Sequence, residues 1–181
     1  PVHPYGVGRH IGEILTHLFR LRHGVNALCV RLSNVIGPPA DISVPRWTLL
    51  VGDLCRQVVK QKRMVLRSSL ATQRNFISMD DAVRALEFLS LHPSQWPADA
   101  IIHVGSAQNI SIGEMARRIA ACAQRELRYT PPVFCLARND APSVPLRYSV
   151  RRLKDMGFSW NDSLDQEISN TLKMCLVKNP R

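Results

Sequence analysis

Pro4-Tyr5-Gly6-Val7-Gly8-Arg9-His10-Ile11-Gly12-Glu13 places a tyrosine at the head of a helical apolar pattern and a strong cation four residues behind it. Ile11, Ile14, Leu15, Leu18 and Leu21 recur at three- and four-residue intervals. That spacing predicts an amphipathic helix over roughly residues 5–22, ended by Gly24. Positions i and i+4 share a helix face, so the Arg9 guanidinium can lie beside the Tyr5 phenol. A free phenol, with a pKa of about 10, is a poor acid or base at neutral pH. A fixed positive neighbour favours the phenolate and makes the pair a candidate for proton transfer. The plainer reading is a tyrosine and an arginine on the solvated shoulder of an ordinary helix. Val25–Leu32 (VNALCVRL) follows as the buried strand expected after a helix in an α/β fold. Ser33 and Asn34 then fall at its carboxyl end, where open parallel sheets place ligands.

Downstream, Gly37-Pro38-Pro39 is a hard break and the natural boundary between residues 1–37 and a second region, 38–181. Residues 45–62 read as a helix with Trp47, Leu50, Val51, Leu54 and Val58 on one face, and Met64–Leu66 as a brief strand. Phe76-Ile77 begins another extended piece, and Asp80 is placed to cap a helix from Ala82 to Leu91. Ile101–Val104 reads as a strand and Ser111 with Glu114 as a capping box for a helix reaching about Ala123. Val133–Leu136 is a short strand. Ser149 is placed to cap a helix ended by Gly157, and Ser163 with Gln166 to cap the last helix, to about Val177.

Five segments taken together resemble, in order, the extended short-chain dehydrogenases/reductases, the NAD-dependent epimerase/dehydratase family acting on nucleotide sugars. Tyr5, Gly6 and Glu13 match the family's Tyr-Gly-x-x-Lys-x-x-x-Glu helix, with Arg9 in the lysine's place. Arg31–Pro38 (RLSNVIGP) and Arg74–Asp81 (RNFISMDD) come next, then His103–Ser106 running into Ile112-Gly113-Glu114, and finally Ser149–Trp160. The resemblance implies an α/β fold: the C-terminal part of a Rossmann-like, doubly wound parallel sheet plus a small mixed α/β substrate-binding region. No Gly-x-x-Gly-x-x-Gly turn follows a strand anywhere in the chain, so the N-terminal dinucleotide-binding half is expected to be absent. Residues 1–37 would then be the remnant of the Rossmann domain.

The resemblance carries roles residue by residue. Tyr5 would exchange a hydroxyl proton while hydride passes to or from NAD or NADP. Arg9 would stand for the lysine that binds the nicotinamide ribose and activates the tyrosine. A guanidinium keeps the charge but cannot release a proton near neutral pH. Asn34, Arg74 and Arg138 match the family's contacts to a nucleotide-diphosphate sugar, with Arg147 competing for the role of Arg138. An arginine fork binds phosphate oxygens bidentately, whereas the plain alternative for each arginine is a solvated charge. Asn34 read locally is a turn residue bonding its own backbone. Asp80 and Asp81 read as helix-capping acids rather than a catalytic pair, and His103 as a packed strand histidine.

The 181 residues carry 24 Lys+Arg against 14 Asp+Glu, a formal net charge of +10, which favours anionic partners. A diphosphate needs two or three of those cations. Nucleic acid would want them interleaved with aromatics, and the densest cluster (Arg56, Lys60, Lys62, Arg63, Arg67) contains none. Cys29, Cys55, Cys122, Cys135 and Cys175 form no CxxC pair and read as reduced thiols of a cytoplasmic protein with no metal. No run nears the roughly 18 apolar residues of a membrane span, and no signal-peptide layout opens the chain. The expectation is a fragment carrying the tyrosine helix and sugar-nucleotide side of an epimerase, dehydratase or reductase. Alone it would be inactive, completed by a missing N-terminal half or paired as a homodimer through the tyrosine helix. A non-catalytic binding module on the same scaffold is the alternative, and a basic nucleic-acid-binding domain a weaker one.

Overall fold

A computed structural model describes residues 3–41, 47–137 and 145–177. The elements run α1 (Pro4–His23), β1 (Cys29–Leu32), β2 (Asn34–Ile36), α2 (Leu50–Gln61), β3 (Met64–Leu66), β4 (Gln73–Ser78), α3 (Met79–Leu91), β5 (Ile101–Val104), β6 (Asn109–Ser111), α4 (Ile112–Leu127), β7 (Val133–Cys135), α5 (Arg151–Asp155) and α6 (Leu164–Val177). Among the described residues the strands form three small sheets: β1 with β5, β2-β4-β6, and β3 with β7. All pairings are parallel except β4 with β6, so α/β architecture with parallel sheets holds. None of the described helices is long and apolar enough to cross a membrane.

Two apolar clusters hold these layers. In one, Leu54 and Val58 of α2, Ile119 of α4, and Ile168 and Leu172 of α6 close over Met64 of β3. In the other, Ile102 and Val104 of β5 pack on Ala82, Ala85 and Leu89 of α3 and on Leu153 of α5. Fully burying a side chain such as Leu or Ile contributes roughly 1.5–3 kcal/mol.

Gly24 ends α1 in the left-handed region at φ 64°, its N–H closing on the Arg20 carbonyl, as the sequence predicts. The helix nevertheless has no buried residue, and Ile11, Ile14, Leu15 and Leu18 stay 42–50 % exposed. Polar ties hold it instead. Arg31 Nε and Nη2 donate to Glu13 Oε1 and Oε2 at 2.7 and 2.6 Å, and Arg20 Nη1 donates to the Ala27 carbonyl at 2.5 Å. The strand expected over Val25–Leu32 is shorter and only half-buried. It pairs with β5 alone, and no other described strand covers its second edge.

Several caps differ from the sequence reading. Ser78, not Asp80, caps α3: its Oγ accepts from Asp81 N, which lets the helix begin at Met79. Asp81 lies buried in the first turn, where the helix dipole favours an anion. Ser111 caps α4 as predicted, accepting from Glu114 N at 3.0 Å. Glu114 turns its carboxylate to Arg117 instead of completing the box. Ser163 does not cap α6 through its side chain, because its Oγ is buried without a partner. Ser149 Oγ accepts from Arg151 N at 3.3 Å, but the residue at the cap of α5 is Val150. The helix read over 45–62 begins only at Leu50, since Leu49 is extended. Trp47 precedes it in a turn, still buried.

The Arg31 hydrogen bonds hold the Glu13 carboxyl below the usual carboxylate range, against a smaller opposing effect of burial. A carboxyl with a lowered folded pKa stabilises above its unfolded value, about 4.3, and loses that contribution as pH falls through the lowered one. Both partners are partly exposed, so the pair is worth about 1 kcal/mol or less. Hydrogen exchange should therefore show α1 loosening below about pH 4 ahead of the buried clusters. Glu13→Gln should produce the same loosening at neutral pH and abolish its acid dependence.

Candidate functional site

Tyr5 sits in the first turn of α1, 67 % exposed, with its N–H bonded to His3 Nδ1. One turn on, the Arg9 guanidinium carbon stands 5.0 Å from the Tyr5 ring centroid, over its face. The pair predicted from the i, i+4 spacing is therefore formed, as a cation against the π-face. His10 lies elsewhere on the helix, 3.6 Å from the Glu13 carboxylate.

Strand pairing brings Asn34 and Arg74 into one neighbourhood. Asn34 opposes Phe76 across the β2–β4 pair, and Arg74 precedes Phe76 by two, on the same face of β4. Asn34 does not merely bond its own turn, since its Nδ2 donates to the Asn75 carbonyl at 2.8 Å. Arg74 is exposed, with Nη1 resting on the Gln73 carbonyl at 3.1 Å. No described carboxylate makes an ion pair with it. Arg138 lies outside the described residues, and its competitor Arg147 is exposed.

Beside Asn34 opens a cavity of about 590 Å³, walled by Pro38, Trp47, Leu50, Phe76 and Met79. Apolar walls with a few convergent polar groups suit a ring-bearing ligand, the polar groups setting its orientation. Among the described residues no three His, Cys, Asp or Glu side chains group as a metal would need. Cys55, Cys122 and Cys175 are buried free thiols, and burial pushes the Cys55 thiol well up.

Behind Asn34 lies a group that sequence reading passed over. Gly105, just past β5, has no room for a side chain: a Cβ there would stand 2.3 Å from Asn75 Oδ1, 2.6 Å from Tyr148 Cε1 and 3.0 Å from Ser33 Oγ. The Tyr148 hydroxyl reaches the carbonyls of Arg31 (2.7 Å) and Val104 (3.1 Å), its ring stacked on His103. His103 is thus a packed residue, as read, with Arg31 Nη1 3.3 Å from its Nε2. Burial pushes the Tyr148 phenol up to about 12, so it remains a donor at any ordinary pH. Trp160 Nε1 donates to the Gly105 carbonyl at 2.8 Å. The glycine in His103–Ser106 was the one signal in the sequence that backbone and side chains crowd here.

Comparison with known proteins shows the family and the fold. Residues 1–131 match the model of the NAD dependent epimerase/dehydratase family. Over 124 residues the chain is 31 % identical to a dTDP-4-dehydro-6-deoxy-D-allose reductase of Streptomyces bikiniensis, covering 68 % of this chain and 36 % of that protein. The chain thus spans about a third of the curated relatives it matches. Its fold superposes on RMD from Pseudomonas aeruginosa, solved with NADPH, at a TM-score of 0.81 and 23 % identity, over 99 % of this chain and 58 % of that one. It also superposes on the UDP-N-acetylglucosamine 4-epimerase of Methanobrevibacter ruminantium, solved with UDP-N-acetylmuramic acid, at 0.78 and 17 %, over 99 % and 55 %. With most of its length matched by the family model, the chain belongs to the NAD-dependent epimerase/dehydratase family.

Proposed function

We propose that the chain carries the proton-transfer helix and the sugar-nucleotide side of an NAD(P)-dependent epimerase, dehydratase or reductase. The observation that supports this most is the Tyr5–Arg9 pair in a family member whose Asn34 lines a 590 Å³ cavity, with Arg74 two residues along β4 from Phe76 in the cavity wall. Tyr5 would take or return a sugar hydroxyl proton. Arg9 would hold positive charge against the ring and can donate to ribose hydroxyls, but it cannot relay a proton. Arg74, paired with no described carboxylate, suits a phosphate of the ligand in a bidentate fork, and Asn34 the polar groups beside it. Arg138 is proposed for a second phosphate contact.

A nicotinamide cofactor, when bound, supplies the hydride donor or acceptor. The residues present fit its nicotinamide-ribose end, at Tyr5 and Arg9, and not its pyrophosphate. Gly105 follows a strand, but the space a side chain would fill is taken by Asn75, Tyr148 and Ser33, so no phosphate can approach there. A dinucleotide-binding unit is therefore proposed as a partner, joining at the edge of β1 that no described strand covers. The uncovered apolar stripe of α1 is proposed to pair with a second copy. The free thiols favour a cytoplasmic setting. A non-catalytic module that binds a nucleotide sugar is the second reading, favoured by Arg9 in the lysine position.

Titration calorimetry with UDP and dTDP tests the binding half of the proposal. Arg74→Ala should weaken binding about tenfold or more, as loss of a charge-assisted contact of roughly 1.5–3 kcal/mol requires. NADH should bind the chain poorly. Equal affinity for wild type and Arg74→Ala would remove Arg74 from the site.

A further inference from the structure

Asn75 is 2 % exposed and each end of its amide faces a group of fixed polarity. Its Oδ1 accepts from the backbone N–H of Ser106 at 2.9 Å. Its Nδ2 points at three acceptors: the carbonyls of Ser106 (3.0 Å) and Gln108 (3.2 Å) and Oδ1 of Asn109 (2.8 Å), its partner across β4–β6. The Asn109 amide is oriented in turn, because its Nδ2 donates to the Leu146 carbonyl at 2.9 Å. Neither amide can flip without setting donor against donor or acceptor against acceptor.

Two residues beyond Leu146, Tyr148 returns to the sheet and bonds the Arg31 carbonyl, three residues before Asn34. Asn34 closes the circuit by donating to the Asn75 carbonyl. A ring of side-chain bonds thus runs from Asn34 through Asn75 and Asn109 to residues 146–148 and back to the strand that leads into Asn34. It ties the β1–β5 sheet to the β2-β4-β6 sheet. Gly105 sits beside it, with two of its members, Asn75 and Tyr148, filling the space a Cβ would need.

We propose that Asn75 is a positioning residue: through this ring its amide sets the orientation of Asn34, and Tyr148 fixes the end of β1 that leads into Asn34. The link to ligand binding rests on the reading of Asn34 as a nucleotide-sugar contact, whereas the positioning itself does not. A carboxylate at 75 would keep the bond from Ser106 but face three acceptors, so the amide is required and not merely a polar group of that size. Asn109→Asp breaks the ring elsewhere, keeping the acceptor for Asn75 and losing the donor to Leu146.

The test compares Asn75→Asp, Asn109→Asp and Tyr148→Phe with Ile168→Val, a control in the other apolar cluster. The side-chain amide resonance of Asn34, assigned by its loss in Asn34→Ala, is read by NMR, and UDP and dTDP affinities by calorimetry. The three ring variants should each shift the Asn34 resonance, and Ile168→Val should leave it in place at comparable loss of melting temperature. UDP or dTDP affinity should fall about tenfold or more in the ring variants, since small misplacement of a contact group is costly. An Asn34 signal unmoved in Tyr148→Phe and Asn109→Asp overturns the proposal. Should Asn75→Asp fail to fold, those two decide it. If wild type binds neither nucleotide while the resonance still shifts, the ring stands and the reading of the cavity as a nucleotide-sugar site falls.

Discussion

Gly105→Ala is expected to destabilise the chain by about 3 kcal/mol, the upper end for overpacking one methyl into a filled site. For a chain of this size that corresponds to a fall of roughly 6–12 °C in melting temperature. The cause is space and not backbone conformation. The added Cβ would meet Asn75 Oδ1 at 2.3 Å, Tyr148 Cε1 at 2.6 Å and Ser33 Oγ at 3.0 Å. The two nearest atoms are not loose ends of flexible side chains. Asn75 Oδ1 accepts from the Ser106 N–H, and Tyr148 is pinned by its hydroxyl to the ends of β1 and β5. Moving either means giving up hydrogen bonds, two of them partly buried, each worth about 0.5–1.5 kcal/mol. Thermal melts followed by circular dichroism measure the effect, and a melting temperature within 2 °C of wild type would show that the three side chains do not converge there. Gly8→Ala and Gly12→Ala, where a Cβ meets nothing within 4 Å, should by contrast be neutral or slightly stabilising through helix propensity.

Tyr5→Phe is expected to lower turnover by about 10²–10⁴-fold, the usual weight of a positioned acid–base group. The measurement is NAD(P)H absorbance with a nucleotide-sugar substrate, on the chain joined to a dinucleotide-binding unit. UDP and dTDP binding should be unchanged, because the phenol is at the far end of the cavity's ligand from the phosphates in the proposed reading. Arg9→Lys should retain or raise activity and Arg9→Ala should lower it, since what the position supplies is a cation over the Tyr5 ring, 5.0 Å from its centroid. Equal rates for Tyr5→Phe and wild type would move the chemistry away from this helix and favour the non-catalytic reading.

The helix that carries this pair was legible because periodicity and punctuation coincide in it. Apolar residues recur every three or four positions up to Leu21, and Gly24 takes the left-handed turn that stops it. Ser111 is readable for the same reason, a cap whose partner lies three residues away in sequence. Where two local candidates compete, sequence does not choose. Ser78 and Asp80 both suit a cap, and the course of β4 brought Ser78 to the Asp81 N–H. Ser163 looked equally suitable, yet its hydroxyl was buried without a partner.

By sequence alone, the chain determined its family, through five short motifs that recur in order, and its α/β alternation and the Tyr5–Arg9 face, because each motif, element and pair is local in sequence. Tertiary structure alone decided that Glu13 holds α1 to Arg31, 18 positions away, and that Asn34, Asn75, Asn109 and Tyr148 share one ring of hydrogen bonds. The partners in that ring are separated by 34 to 117 positions. An amide in a strand has no periodicity that betrays its partner: only the strand register and the crowding at Gly105 bring donor to acceptor.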